Sequence, residues 1–167
     1  MDIERVDPPY EADERRMLES WLDFHRSTLA MKCDGLSDDE LRERSVPPSS
    51  ISLLGLVRHM ADVERNWFRW VLSGEHGPGL FWTPENEDGD FDDVDDASVD
   101  EAFDAWRAEC ANARQVAASL QLEDTGTRRN GERVSLRWVL VHMIEEYARH
   151  NGHADFLRER IDGATGE

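Results

Sequence analysis

Lysine is almost missing from this chain: Lys32 stands alone beside 18 arginines, and 37 aspartates and glutamates leave a formal net charge of −18. No Lys/Arg stripe exists to displace counterions, and a phosphate backbone would repel so acidic a surface, which excludes nucleic acid as a partner. Cysteine is scarce too. Cys33 and Cys110 are too few for a disulfide framework and lack the paired spacing of a thiolate zinc site. Long apolar runs are absent: none approaches the roughly 20 residues needed to cross a bilayer. The acidic N-terminal stretch offers neither a basic n-region nor an apolar h-region. The expectation is a cytoplasmic protein with two reduced thiols and no membrane partner.

What is present points to a globular domain. Apolar residues make up 39% and charged residues 34% of 167 residues, enough for one core and one domain over 1–167. Much of the acidity lies between Glu85 and Asp104, in ENEDGDFDDVDDASVDEAFD. Like charges repel, so an open, solvated loop is expected there. A calcium loop would need alternate oxygen ligands closed by a glutamate at its twelfth position, a spacing this stretch lacks.

Apolar residues recur with a helical period in four places. A first helix over about 11–32 carries Leu18, Trp21, Leu22, His25 and Leu29 on one stripe. Ser37 with Glu40 forms a capping box that opens a short connector, ended at Pro47-Pro48. Ser52 caps a second helix to about Leu72, with Leu53, Leu56, Val57, Met60, Val63, Trp67 and Phe68 along its stripe. Ser98 and Glu101 open a third helix to about Leu120, lined by Ala102, Phe103, Trp106, Ala113 and Val116. TGTRRNGERV is a polar connection in which Asn130-Gly131 allows, but does not require, a brief hairpin. Ser135 caps a fourth helix that Gly163 ends. The expected architecture is all-α, a four-helix bundle with a long crossover between helices two and three. A weak repeat, SLLGLVRHM at 52–60 and SLRWVLVHM at 135–143, sets His59 and His142 each seven residues after a capping serine.

Candidate chemistry concentrates in VHMIEEYARHNGHAD. His142, Glu146 and His150 follow one another at i, i+4 and i+8, so neighbours lie one turn apart, about 5–6 Å between Cβ atoms. At 100° per residue, Glu146 and His150 fall inside the margin of the stripe through Leu140, Met143 and Tyr147. His142 and His153 lie toward the flank, and Glu145 points to solvent. A glutamate on a buried stripe must be neutralised, paired or bound to metal. Spacing alone leaves two readings open: an inward Glu–His or Glu–Arg pair, or two ligands of a metal whose third comes from another helix. His59 and His25 are the candidates for that third ligand. Gly55, one turn before His59, would leave space beside the ring for an ion and a bound molecule. His76, in a Gly/Pro-rich turn, reads as a surface residue.

PPSSISLLGLVRHMADVERNWF and SLRWVLVHMIEEYARHNGHADFLRERIDG closely resemble the actinobacterial, mini-circle branch of the DinB-like superfamily, a likeness that runs through nearly the whole chain. The resemblance implies a four-helix bundle whose metal is held by His59, Glu146 and His150. Many members carry histidine at the place of Glu146. The related mycothiol-dependent maleylpyruvate isomerase branch has a Glu-x-x-x-His pair like this one. His142 and His153 are extra donors that would sit beside the ligands. Two histidines and one carboxylate leave a zinc-like ion an open position, as catalytic sites do. Zinc is expected, with nickel, manganese or iron as alternatives. Relatives bind mycothiol or bacillithiol at such an ion, so the leading expectation is a metal-dependent thiol S-transferase acting on a small electrophilic metabolite or xenobiotic. A metal-dependent hydrolase and a non-catalytic small-ligand or stress module are the alternatives. A homodimer is expected, anchored by exposed aromatics near Trp67, Trp70, Phe81 and Trp82.

Overall fold

A computed structural model describes residues 4–166, which are mostly helical. Helix α1 (Glu14–Cys33) leads through α2 (Asp38–Arg42) to α3 (Leu53–Glu64), which continues without interruption into a π-helical segment, Arg65–Leu72. The acidic stretch then contributes α4 (Gly89–Asp92), followed by α5 (Val99–Ser119), a β1–β2 hairpin (Thr125–Thr127, Arg133–Ser135) and α6 (Leu136–Asp162). The expected caps hold. The hydroxyls of Ser37, Ser52, Ser98 and Ser135 each accept from a first-turn N–H, and Gly163 closes α6 at φ 79°.

Helix α1 packs mainly against α6, and α3 mainly against α5. One apolar cluster runs through all four, with Leu29, Leu53, Met60, Leu140, Met143 and Ala113 almost fully buried. Each buried Leu or Met side chain contributes roughly 1.5–3 kcal/mol relative to exposure. The stripe of α1 is turned slightly from expectation: Trp21 is 41% exposed, and Arg26 is buried instead.

That arginine belongs to a buried polar network joining the four helices. Arg26 of α1 donates from Nε and Nη2 to the two carboxylate oxygens of Glu64 on α3, both at 2.7 Å. Tyr147 of α6 donates to Glu64 at 2.8 Å, and Trp106 of α5 donates to Tyr147 at 2.8 Å. Cys110, also on α5, lies 3.6 Å from Glu64. Burial opposes the charge on Arg26, but Glu64 more than offsets it, holding the guanidinium well above its ordinary pKa. Burial, then the Glu64 carboxylate, pushes the Cys110 thiol up, and burial alone is enough to push Cys33 up to about 12. Both cysteines are free.

The acidic stretch is not the open loop its charge suggests. Arg58 donates to the carbonyls of Gly89 and Asp93 at 3.0 and 2.6 Å, and Asp62 accepts from the N–H groups of Leu80 and Phe81 at 2.7 and 2.9 Å. Arg44 pairs with Asp95 at 2.6 Å. Cations and dipoles from α3 and its approach thus offset the repulsion and tie the segment down, leaving Gly89, Asp90 and Val94 buried. The hairpin that the sequence allowed is present, pairing Gly126 with Val134. A Cβ at Gly126 would collide with the Val71 carbonyl, so glycine lets the hairpin lie against the end of the π segment.

Candidate metal centre

Three side chains converge between α3 and α6. One ligand atom from each of His59, Glu146 and His150 lies within 4.8 Å of the other two. The rings of His59 and His150 stand edge to face with centroids 4.8 Å apart, and His150 Nε2 is 3.6 Å from Glu146 Oε2. All three are half-buried. Helix geometry accounts for the α6 pair, one turn apart on the margin of the stripe, and α3 delivers His59 because Leu56 and Met60 beside it are locked in the core.

Each member has a partner behind it. Asp90 Oδ2 lies 2.7 Å from His59 Nδ1. With the carboxylate accepting from Nδ1–H, the lone pair falls on Nε2, the nitrogen free to bind a metal. His150 has its Nδ1 3.4 Å from Nδ1 of the exposed His153. Burial, followed by His59, His153 and Arg149, lowers the pKa of His150 to about 4, which keeps the ring neutral near pH 7. The donor set is therefore two imidazoles and one carboxylate, chemistry suited to a borderline divalent ion with a position left open.

Of the other histidines, His142 and His153 border this trio, and His25 and His76 lie apart from it. His142 stacks on Trp138, meets Trp67 edge-on and comes within 3.3 Å of Glu146. His25 faces Asn151, whose Nδ2 donates to the His25 carbonyl at 3.0 Å; burial lowers its pKa. It joins none of the donor clusters among the described residues. His76 is exposed.

Two expectations are corrected. The space beside Gly55 is filled by Phe91, whose Cδ1 would be 2.8 Å from a Cβ there and whose ring lies against His59 at 5.1 Å. Of the aromatics expected to be exposed, Trp67 and Trp70 are 7% and 3% accessible, packed against the core and beneath the Arg128 and Arg129 guanidinium groups of the hairpin. Phe81 and Trp82 are half-buried. The open space lies instead on the other side of His59, a cavity of about 380 Å³ lined by Trp67, Trp70, Trp82, Asn66, Asp62 and Glu87 among others.

Sequence reasoning missed Asp90 and Glu64. No signal distinguished Asp90 from its acidic neighbours. Glu64 was visible, lying one turn after Met60 on the stripe of the second helix.

Comparison with known proteins gives a family and a fold. Residues 17–163 match the model of a family described as mycothiol-S-transferase. A solved structure of a histidine-to-alanine mutant of the mycothiol-dependent maleylpyruvate isomerase is similar at a TM-score of 0.58 and 15% identity, a likeness of fold. The match covers 89% of this chain and 62% of the isomerase, so the chain spans less than two thirds of that protein's length. No curated protein matches.

Proposed function

The chain belongs to the mycothiol-S-transferase family and is a DinB-like relative, and from that premise we propose that it joins a low-molecular-weight thiol, mycothiol or a close analogue, to a small electrophile at a divalent ion held by His59, Glu146 and His150. The observation that carries the reading is the convergence of three donors from two helices, with Asp90 seated behind His59. A bound divalent cation, zinc by preference, would lower the thiol pKa and hold the thiolate near neutral pH.

The chain's own residues prepare that step. Asp90 fixes the His59 tautomer and the direction of its ring. Glu146 supplies the negative charge of the donor set, and neutral His150 needs no deprotonation before it binds a cation. Trp67, Trp70 and Trp82, together with Asp62, Asn66, Glu87 and Asp90, line an open cleft beside His59 in which a small electrophile with an apolar body and polar groups can lie. The thiol proton would leave to solvent, and as the sulfur lone pair forms the bond to the electrophilic carbon, the electron pair of the bond broken there, a π bond or a bond to a leaving group, would pass to the electrophile's own acceptor atom, which takes a proton from solvent or departs as an anion.

We read the four long helices as a four-helix bundle crossing over through the acidic segment, and 1–167 as one domain. A cytoplasmic home goes with this chemistry, since low-molecular-weight thiols stay reduced there. A homodimer remains part of the reading, with Trp138 and Val141, 45% and 52% exposed on one face of α6, as anchors in place of the buried Trp67 and Trp70.

Calorimetry tests the function. Metal-loaded protein should bind mycothiol and release a proton, seen as a difference between two buffers of unlike ionisation enthalpy, and the metal-free protein should do neither. If neither mycothiol nor bacillithiol binds the loaded protein, the transferase reading fails.

A further inference from the structure

The donors around Glu146 do not stop at His59 and His150. Its carboxylate divides itself between two histidines of α6: Oε2 lies 3.6 Å from His150 Nε2, while Oε1 lies 3.3 Å from His142 Nε2, one turn back along the helix. His142 in turn faces Glu145, whose Oε2 is 3.6 Å from its Nδ1. One ligand atom from each of His142, Glu145 and Glu146 lies within 4.8 Å of the other two. The ring of His142 is held in place by stacking on Trp138 at 4.9 Å and an edge contact with Trp67 at 4.8 Å. Arg149 occupies Oε1 of Glu145, which leaves Oε2 turned toward the histidine.

We infer that α6 carries a second divalent-cation site, made by His142, Glu145 and Glu146, with Glu146 bridging it to the first. The bridging rests on the ligand assignment proposed above; the His142–Glu145–Glu146 set does not. A carboxylate has lone pairs enough for a cation on each oxygen, and ions sharing ligands in this way commonly sit about 3.5–4 Å apart. Repulsion between two dications is offset by the charge of Glu146, by that of Glu145, which Arg149 shares, and by the net −18 of the chain. Imidazole and carboxylate oxygen again suit a borderline ion such as zinc, cobalt or manganese. All three ligands come from one helix, and Glu145 is 44% exposed, so this site is open to water and fills after the first.

Zinc titration of the full chain, with equilibrium dialysis and elemental analysis, tests the inference. Two ions per chain are expected, the second bound more weakly. Glu145→Gln, on the solvent side of α6 where folding is undisturbed, should weaken the second ion by at least about tenfold and spare the first. His142→Ala should do the same, His59→Ala should remove the first, and His153→Ala should keep both. Manganese loading adds a spectroscopic check, because two ions sharing Glu146 couple magnetically and depress the six-line resonance of isolated manganese. A single ion that His59→Ala abolishes and Glu145→Gln leaves intact overturns the second site while sparing the first assignment. A second ion that survives both Glu145→Gln and His142→Ala is adventitious binding to an acidic surface and overturns it too. Two ions with neither lost in His59→Ala would sink the first assignment and the bridge together, and no bound ion sinks both sites.

Discussion

Asp90 acts on the site through His59. It is 5% exposed, and its carboxylate holds the imidazole by a 2.7 Å hydrogen bond. Outer partners of this kind are worth about 10–100-fold in metal affinity. Asp90→Ala should therefore weaken zinc binding by that factor, read by competition with a chelating dye, while the helical content is unchanged. His150 sets a pH dependence of its own. Its pKa is held near 4 in the folded chain, against about 6.5 when unfolded. Between those values the unfolded chain takes up a proton that the folded chain refuses. Its contribution is thus fully present above pH 6.5 and is lost as pH falls toward 4. Because the side chain is 12% exposed, the expected loss is on the order of 2 kcal/mol, below what the full shift implies. Urea midpoints of metal-free protein from pH 7 to 4 should fall more steeply for wild type than for His150→Leu. At this scale the sequence was informative where periodicity acts. Glu146 and His150 stand out because a polar residue on an apolar stripe demands a partner, whereas periodicity left His59 and His25 both open as a third donor and only the family resemblance pointed to His59. Asp90 does not stand out, because a carboxylate within an acidic run carries the same local signal whether it is solvated or buried, and only the tertiary contact with His59 tells the two apart.

At the scale of elements, the boundaries follow local chemistry. Ser52, Ser98, Ser135 and Gly163 mark helix ends because capping is satisfied within one turn of chain. Two departures are non-local. The π geometry of Arg65–Leu72, a segment that buries Trp67, Phe68, Trp70 and Val71, has no counterpart in the helical period of the sequence. The acidic segment docks because Arg58, His59 and Asp62 of α3 grip it, and no property of the segment alone announces them. Gly55 is the seat of that docking, since Phe91 fills the space where its side chain would be. Gly55→Ala should push Phe91 outward and loosen the adjoining Asp90 from His59. The expected outcome is weaker zinc binding with a stability change of no more than about 1–3 kcal/mol, the range for overpacking, measured by dye competition and urea unfolding on the same protein.

For the molecule as a whole, the Arg26–Glu64–Tyr147–Trp106 network engages α1, α3, α5 and α6 together. A buried pair broken on one side leaves an uncompensated charge, at a cost of about 3–5 kcal/mol. Glu64→Leu should show that loss in its urea midpoint. Arg26→Met combined with Glu64→Leu should recover most of it, because an apolar pair of similar volume removes a buried guanidinium left with the exposed Asp23, at 2.9 Å, in place of its buried partner. If the double variant is as unstable as the single one, the charge is not what the network supplies.

The division of the ligands between α3 and α6 also bears on timing. Glu146 and His150 come within reach of one another as soon as α6 winds, whereas His59 joins them only after distant stretches of chain have met and the acidic segment has closed over α3. Contacts between residues so far apart in sequence form late on the folding path. An ion that needs all three donors can act only on what has already assembled, so it should slow unfolding while leaving the refolding rate nearly unchanged. Stopped-flow chevrons with and without zinc should share their folding limbs and separate on their unfolding limbs.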